Sequence, residues 1–226
     1  MKRKRTGFTL IELLVVISII ALLIGILLPS LSSARKLAKA MSGLSNIRQT
    51  YIGMAAYAAD NNGWLPYRPP TSNYLPHRMN VSGHYDLQKS FIGPYLGSSR
   101  DQLMFCVGDL YEERNPESNG YDYNLVTVQY LNMVLPSSTP YVQANGIYDL
   151  TRIDNPGTSD KPVWGCLTIE ISSGLFLGHD APFSQAPPTG SNFVFMDGSG
   201  RWTSWGDHEP YLISSTIYYR PKTSDN

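Results

Sequence analysis

Charged side chains and recognisable catalytic motifs are scarce in this sequence. Asp, Glu, Lys and Arg make up 16% of the chain, below the roughly 25% of typical soluble domains. No Gly-x-Ser-x-Gly turn, phosphate-binding glycine loop or pair of metal-ligand histidines occurs. We therefore expect no enzymatic activity and no bound cofactor. The four histidines are scattered and are expected on the surface or at hairpin ends: His77, His84, His179 and His208.

An excess of basic charge is also missing. The formal net charge is +0, from 18 basic and 18 acidic side chains, and four of the basic ones form the cluster Lys2–Arg5. Without that cluster, 14 basic side chains face 18 acidic ones. The rest of the chain is thus slightly acidic, which argues against a nucleic-acid partner.

Cysteine is limited to Cys106 and Cys166, with no Cys-x-x-Cys motif. In an oxidising compartment the two residues are a possible disulfide, and closing a loop of this length would stabilise the fold by roughly 4 kcal/mol. The alternative is two buried thiols that pack as small apolar groups.

One long apolar run stands out. Phe8 to Leu28 contains a single ionisable residue, Glu12, and about 20 apolar residues are enough to span a bilayer as a helix. The basic cluster predicts a cytoplasmic N-terminus, with the rest of the chain on the other side. A carboxylate inside a membrane costs about 2.5–3.5 kcal/mol, so Glu12 is a functional candidate unless it reaches the headgroups.

The residues around this run resemble a known processing site. Gly7-Phe8-Thr9-Leu10-Ile11-Glu12 is similar to the prepilin site of type IV pilins and type II secretion pseudopilins, and Pro29 matches a proline of the same family. A secretory signal would instead have a shorter apolar region followed by a small-x-small site. The resemblance implies cleavage between Gly7 and Phe8 by prepilin peptidase and N-methylation of Phe8. It also implies that Glu12 pairs with the N-terminal amine of a neighbouring subunit during assembly.

The resemblance predicts an α+β, pilin-like fold, in which a long N-terminal helix packs on a small antiparallel sheet with long loops. Apolar residues recur at helical spacing after Pro29, and Asp60–Gly63 is a strong stop signal. Pro29 predicts a bend and Ser30 or Ser32 a local break. The predicted apolar face comprises Leu37, Met41, Leu44, Ile47, Tyr51, Met54 and Ala58. The predicted segments are a leader (1–7), a transmembrane and assembly helix (8–28), an amphipathic half (29–60), a globular domain (61–222) and a disordered tail (223–226).

Within the globular domain the pattern predicts a loop over residues 61–86 and a short helix over Leu87–Leu96. Strands are expected within Asn124–Leu135 and over Pro162–Ser172. A hairpin is expected where two aromatic-rich runs flank the turn Asp197–Gly200.

The C-terminal part resembles a domain of bacterial pilin-like proteins marked by His, nine residues and Asp-Gly. Gly190–Gly198 matches its Asp-Gly end, but Pro187 stands where that family has His. Asp197, with Asp180 and Asp207, is a weak Ca²⁺ candidate, because calcium takes several oxygen ligands. The alternative is a β-turn that uses Asp and Gly for their geometry.

These features predict a structural subunit of a type II secretion pseudopilus or a type IV pilus-like filament. The expected partners are prepilin peptidase, other copies of the chain, other pilin-like subunits and the bacterial inner membrane. The chain would cross that membrane once, with the globular domain in the periplasm. A pilin-anchored binding module, either an adhesin or a carbohydrate-binding domain, is the alternative, because abundant Tyr and Trp can also form a binding surface.

Overall fold

The structure is a computed structural model that describes most of the chain. The described residues are 10–66, 80–81, 85–97, 103–104, 128–131, 152–154, 157–171, 174–179, 181–213 and 216–222. The chain divides into two compact units, the first ending at Lys39 and the second beginning at Ala40. The α+β, pilin-like fold is confirmed, because a long N-terminal helix is followed by small antiparallel sheets.

The long helix, α1 (Leu10–Asp60), is continuous through Pro29. The predicted break at Ser30 or Ser32 is wrong, because both serines lie within the helix. The hydroxyls of Ser30 and Ser33 form hydrogen bonds with carbonyls of the same helix. Ser30 Oγ donates to Leu27 O at 2.8 Å, and Ser33 Oγ donates to Pro29 O at 3.1 Å. Serine hydroxyls that bond to a preceding turn are compatible with a helix interior.

In the second unit, α1 buries one face along its C-terminal half. The predicted apolar face is confirmed from Leu44 to Ala58, whereas Leu37 and Met41 are 66% and 59% exposed. Small side chains replace them, since Ala40 and Gly43 lie on the buried face instead. Hydrophobic spacing alone favoured the larger residues and missed these positions, where the helix approaches its neighbours closely.

The predicted stop after α1 is confirmed. Asn62 and Gly63 adopt positive φ values of 53° and 83°, and the Gly63 N–H donates to Ala58 O at 2.7 Å. Asn61 Nδ2 also donates to Tyr57 O at 2.8 Å. These bonds satisfy carbonyls left open at the helix end, and a glycine or asparagine accepts the left-handed conformation at little cost.

Two short strands, β1 (Asn80–Val81) and β2 (Tyr85–Asp86), pair within the segment predicted to be entirely loop. A nine-residue π-helix, Gln88–Leu96, occupies the predicted short helix and ends at Gly97, whose φ is 57°. Its Phe91 is fully buried and contacts the rings of Tyr57 and Trp164.

A four-stranded antiparallel sheet carries much of the core. Its strands are β3 (Val128–Tyr130), β4 (Pro162–Cys166), β8 (Gly190–Phe195) and β9 (Gly200–Ser204), in the order β3-β4-β8-β9. Strands β4 and β8 are buried along their whole length. Their buried side chains, including Trp164 and Val194, join the buried face of α1 in one hydrophobic cluster.

The segment Pro162–Ser172 is not the single strand that we predicted. It contains β4 and a second strand, β5 (Ile169–Ile171), which lie in different sheets. Leu167 and Thr168 separate the two and are both buried. The uninterrupted apolar pattern therefore reflects burial on both sides of the junction rather than one long strand.

The second sheet has five antiparallel strands. Besides β5 it contains β6 (Leu175–Gly178), β7 (Ala181–Ser184), β10 (His208–Ile213) and β11 (Thr216–Pro221), in the order β10-β11-β5-β6-β7. These four strands were not predicted from the sequence, because they are short and three of them contain proline. Arg220 and Glu209 join β11 to β10 through a largely buried ion pair of 2.8 Å.

Candidate assembly helix and the hairpin docked on it

The part of α1 that lies in the first unit exposes an apolar surface over its described residues. From Leu10 to Leu31 its large apolar side chains are roughly half exposed or more, reaching 86% at Leu10. Among the described residues, α1 is the helix that is both long enough and apolar enough to cross a membrane. Exposed apolar surface of this extent indicates contact with lipid or with other helices.

Glu12 is the one ionisable side chain between Leu10 and Ser33, and it lies in the first described turn of α1. A carboxylate at this position is favoured by the helix dipole. By contrast, the Ser18 hydroxyl donates to Leu14 O at 2.8 Å within its own helix. Glu12 is therefore the side chain of this segment that brings net charge to an apolar surface.

The predicted processing residues, Gly7 and Phe8, lie outside the described residues. Their roles in cleavage and methylation stay predictions, as does the role of Glu12 in assembly.

In the second unit, the β8–β9 hairpin docks on the C-terminal half of α1. The hairpin is confirmed, with Gly190 opposite Ser204 and Val194 opposite Gly200. Asn192 Nδ2 donates to the backbone carbonyl of Ala40 at 2.7 Å, and both partners are buried. This bond fixes β8 directly to the helix backbone.

The Asp197-Gly198 turn makes the second contact with α1. The Tyr51 hydroxyl donates to Met196 O at 2.6 Å, and Asp197 Oδ1 accepts from the Ser199 N–H at 2.8 Å. Gly198 has a φ of 78°, and a Cβ there would lie 2.9 Å from Tyr51 Cε1. Burial, with a smaller contribution from the charge of Asp197, raises the pKa of Tyr51, so its hydroxyl remains a donor.

This geometry gives the turn a packing role that the motif alone did not reveal. Asp197 closes the turn, and Gly198 supplies both the positive φ and the space for Tyr51. The turn was predicted from the sequence, but neither the contact of Tyr51 with it nor the bond from Asn192 to Ala40 was. The helical spacing at Tyr51 was the one available signal.

The calcium prediction is not tested by this arrangement. Asp197 and Asp207 are exposed, Asp180 lies outside the described residues, and the part of the chain that the structure describes contains no group of three candidate metal ligands. The possible Cys106–Cys166 disulfide also stays a prediction. Cys166 is buried in β4, and Cys106 lies outside the described residues.

His179 and His208 are buried rather than on the surface, at 6% and 7% exposed, but His179 does lie at a hairpin end, in the turn between β6 and β7. His179 packs edge-on against Trp202. His77 and His84 lie outside the described residues. Pro187, at the position where the family marker has His, is exposed.

His208 links the two sheets through both ring nitrogens. Nδ1 lies 2.8 Å from Ser204 O, and Nε2 lies 2.7 Å from Ser191 Oγ. Because a carbonyl only accepts, we assign the proton to Nδ1, so that the Ser191 hydroxyl donates to Nε2. Burial lowers the pKa of His208, against smaller opposing effects from the backbone carbonyls.

This depressed pKa predicts acid sensitivity of the fold. Unfolded histidine has a pKa of about 6.5, so below that pH the unfolded chain binds a proton that the folded chain resists. We expect the wild type to lose unfolding free energy between pH 7 and 5 through this residue, because protonation favours the unfolded chain in that range.

His208→Asn provides the comparison, because its amide can still donate to Ser204 O but does not titrate. Denaturant unfolding at pH 5, 6 and 7 should give a smaller loss for the variant than for the wild type. Parallel losses in the two proteins would contradict the assignment of this effect to His208.

Comparisons with known proteins agree with the N-terminal features. The family model described as the prokaryotic N-terminal methylation motif matches residues 2–28. A 62-residue stretch, 27% of this chain, is 42% identical to the type IV wide pilus major component PilA4 of Thermus thermophilus. That match covers 47% of the relative, so the chain spans about half the length of the curated protein it matches. No solved structure matches the chain significantly.

The prepilin motif, the pilin relative and the long apolar N-terminal helix together support a type IV pilin-like protein. Similarity to a pilin agrees with the expectation of a structural subunit, and the expected lack of enzymatic activity stays a prediction.

Proposed function

We propose that this type IV pilin-like protein is a filament subunit that assembles through α1. The observation that supports this most strongly is the division of one helix into two halves with different surroundings. The residues up to Leu31 expose an apolar surface with one acid, whereas from Ala40 to Ala58 one face of the helix is buried against the rest of the globular unit. A subunit that inserts one helix half among other helices needs this arrangement.

Before assembly, the exposed half of α1 anchors the chain in the bacterial inner membrane. The basic cluster at residues 2–5 stays in the cytoplasm, and the globular unit lies in the periplasm. Prepilin peptidase cuts between Gly7 and Phe8, and Phe8 is then methylated.

In the filament, Glu12 of one subunit pairs with the amine of Phe8 on its neighbour. An opposite-charge pair is strengthened by the low dielectric of packed apolar helices, where an unpaired charge would be costly. The pair therefore sets the axial register between copies of the chain and other pilin-like subunits.

The relative is a component of a type IV pilus, which favours a pilus over a secretion pseudopilus. Deleting the gene in its own host distinguishes the two. Loss of surface fibres with normal secretion would identify a pilus, and the reverse would identify a pseudopilus.

Processing provides the direct test of the proposed function. We expect mass spectrometry of the chain from cells with active prepilin peptidase to find a mature N-terminus at methylated Phe8. Gly7→Val is the matched variant, since its branched side chain at the cleavage site should leave the leader attached. A wild-type chain that retains residues 1–7 in the presence of active peptidase would overturn the proposal.

A further inference from the structure

Trp64 is held on the surface of the globular unit by backbone contacts on both sides. Its side chain is 52% exposed. The Trp64 N–H donates to Asn61 O at 3.0 Å, and Trp64 forms a β-bridge with Arg152. The next residue of that segment, Ile153, donates its N–H to Gly63 O at 3.0 Å and packs against the core. An exposed indole is thereby fixed in position rather than left on a free loop.

Two charged side chains lie beside the indole in a defined geometry. Arg152 Nε and Nη2 each approach one Asp154 carboxylate oxygen at 2.9 Å, a bidentate arrangement that orients both groups. The guanidinium carbon lies 5.4 Å from the centre of the Trp64 ring. Gly63 permits this approach, because a Cβ there would lie 2.8 Å from Arg152 Nη2. We call Trp64, Arg152 and Asp154 the Trp64 platform.

The charges of the Trp64 platform favour a neutral ligand over a charged one. The hydrogen bonds from Arg152 lower the pKa of Asp154, so the pair is ionised and its two charges balance. An anionic ligand would compete with Asp154 for the guanidinium, and a cationic ligand would meet the positive charge of Arg152 beside the ring. The remaining N–H donors and carboxylate lone pairs suit groups that both donate and accept, as hydroxyls do.

We propose that the Trp64 platform binds a neutral sugar ring of a glycan. The apolar C–H face of a pyranose would stack on the exposed indole, and its hydroxyls would bond to Arg152 and Asp154. Aromatic rings with adjacent polar groups suit ligands that combine an apolar face with an edge of polar, hydrogen-bonding groups. This activity goes beyond filament assembly and does not depend on it.

The size of the surface favours a sugar over a second protein. A stable protein interface buries about 800 Å² per partner, whereas the described residues of the Trp64 platform offer one ring and one ion pair. A single pyranose unit matches an area of that size.

The test uses the full-length chain purified in a detergent without a sugar headgroup, because glycosidic detergents would occupy the same site. Calorimetric titrations with defined neutral hexasaccharides (cello-, chito-, xylo- and malto-oligosaccharides) measure binding. We expect at least one of them to bind the wild type and Trp64→Ala to bind it about tenfold more weakly or worse, as loss of a stacked ring predicts. Asp154→Asn should also weaken binding, because it replaces one of the two acceptor oxygens by a donor and removes the charge that orients Arg152.

Trp202→Ala is the matched control, since Trp202 is another exposed tryptophan in the same unit, and it should bind like the wild type. The proposal is overturned if no hexasaccharide binds the wild type at millimolar concentration, or if Trp64→Ala and Asp154→Asn both bind normally. It is also overturned if Trp64→Ala removes filaments while the wild type binds no sugar, because the surface would then contact another subunit.

Discussion

Glu12→Leu will abolish filament formation while the chain remains in the membrane. The substitution removes the one charge of the exposed half of α1, which favours insertion, but in the proposed filament it leaves the neighbour's N-terminal amine without its carboxylate. Breaking an ion pair in a low-dielectric environment costs roughly 3–5 kcal/mol, which exceeds a hundredfold in an equilibrium constant. Quantitative immunoblots of sheared filaments and of inner membranes measure the two pools.

Ser18→Ala is the control for the Glu12 substitution. It changes another polar side chain of the same exposed segment, but one whose hydroxyl bonds only to its own helix. We expect normal filament yield from it. Equal filament yields from Glu12→Leu and the wild type would show that Glu12 has no part in assembly.

Gly198→Val will destabilise the globular unit by about 2–4 kcal/mol. Valine at a φ of 78° carries backbone strain of roughly 1–3 kcal/mol. Its Cβ would also displace Tyr51 and with it the bond from the Tyr51 hydroxyl to Met196 O, which contributes about 0.5–1.5 kcal/mol. A domain of this size should then melt about 5–15 °C lower, as circular dichroism would measure.

Gly206→Val is the matched control, because a Cβ at Gly206 meets nothing within 4 Å and its backbone is outside the positive-φ region. Its melting temperature should lie within about 2 °C of the wild type, as is usual for a surface substitution. If the two valine variants melt at the same temperature, the docking role of the Asp197-Gly198 turn is wrong.

Local signals in the sequence were enough to predict α1, its end and the β8–β9 hairpin. The end of α1 depends on Asn62 and Gly63, whose positive φ is a property of the residue types themselves. The hairpin follows from an Asp-Gly turn between aromatic-rich runs. Both signals act within a few residues, so tertiary contacts did not overrule them.

Other features depended on contacts between distant parts of the chain. Ala40 is buried where it bonds to Asn192, 152 residues away, whereas the larger Met41 is exposed. The division of Pro162–Ser172 between two sheets follows from pairing with β8 on one side and β11 on the other. The spacing of hydrophobic residues indicates which positions are buried but not which segments they pack against. Neither feature could therefore be predicted from the sequence.

The candidate assembly site shows the same contrast. Glu12 could be singled out from the sequence, because a lone carboxylate in an apolar run is costly wherever it lies, and its role in assembly stays a prediction. The Trp64 platform could not be predicted, since Trp64 and Arg152 are 88 positions apart in the sequence and meet through a β-bridge and a side-chain contact of the folded chain.

Photo-crosslinking in cells tests the central claim, that α1 packs against copies of itself, most directly. Leu22, 66% exposed in the apolar half of α1, is replaced by p-benzoylphenylalanine, and irradiated cells are analysed by immunoblot. Assembly through α1 predicts a ladder of crosslinked multimers that is absent when Glu12→Leu is added. Monomer alone in both proteins, or an identical ladder with Glu12→Leu, would contradict the account.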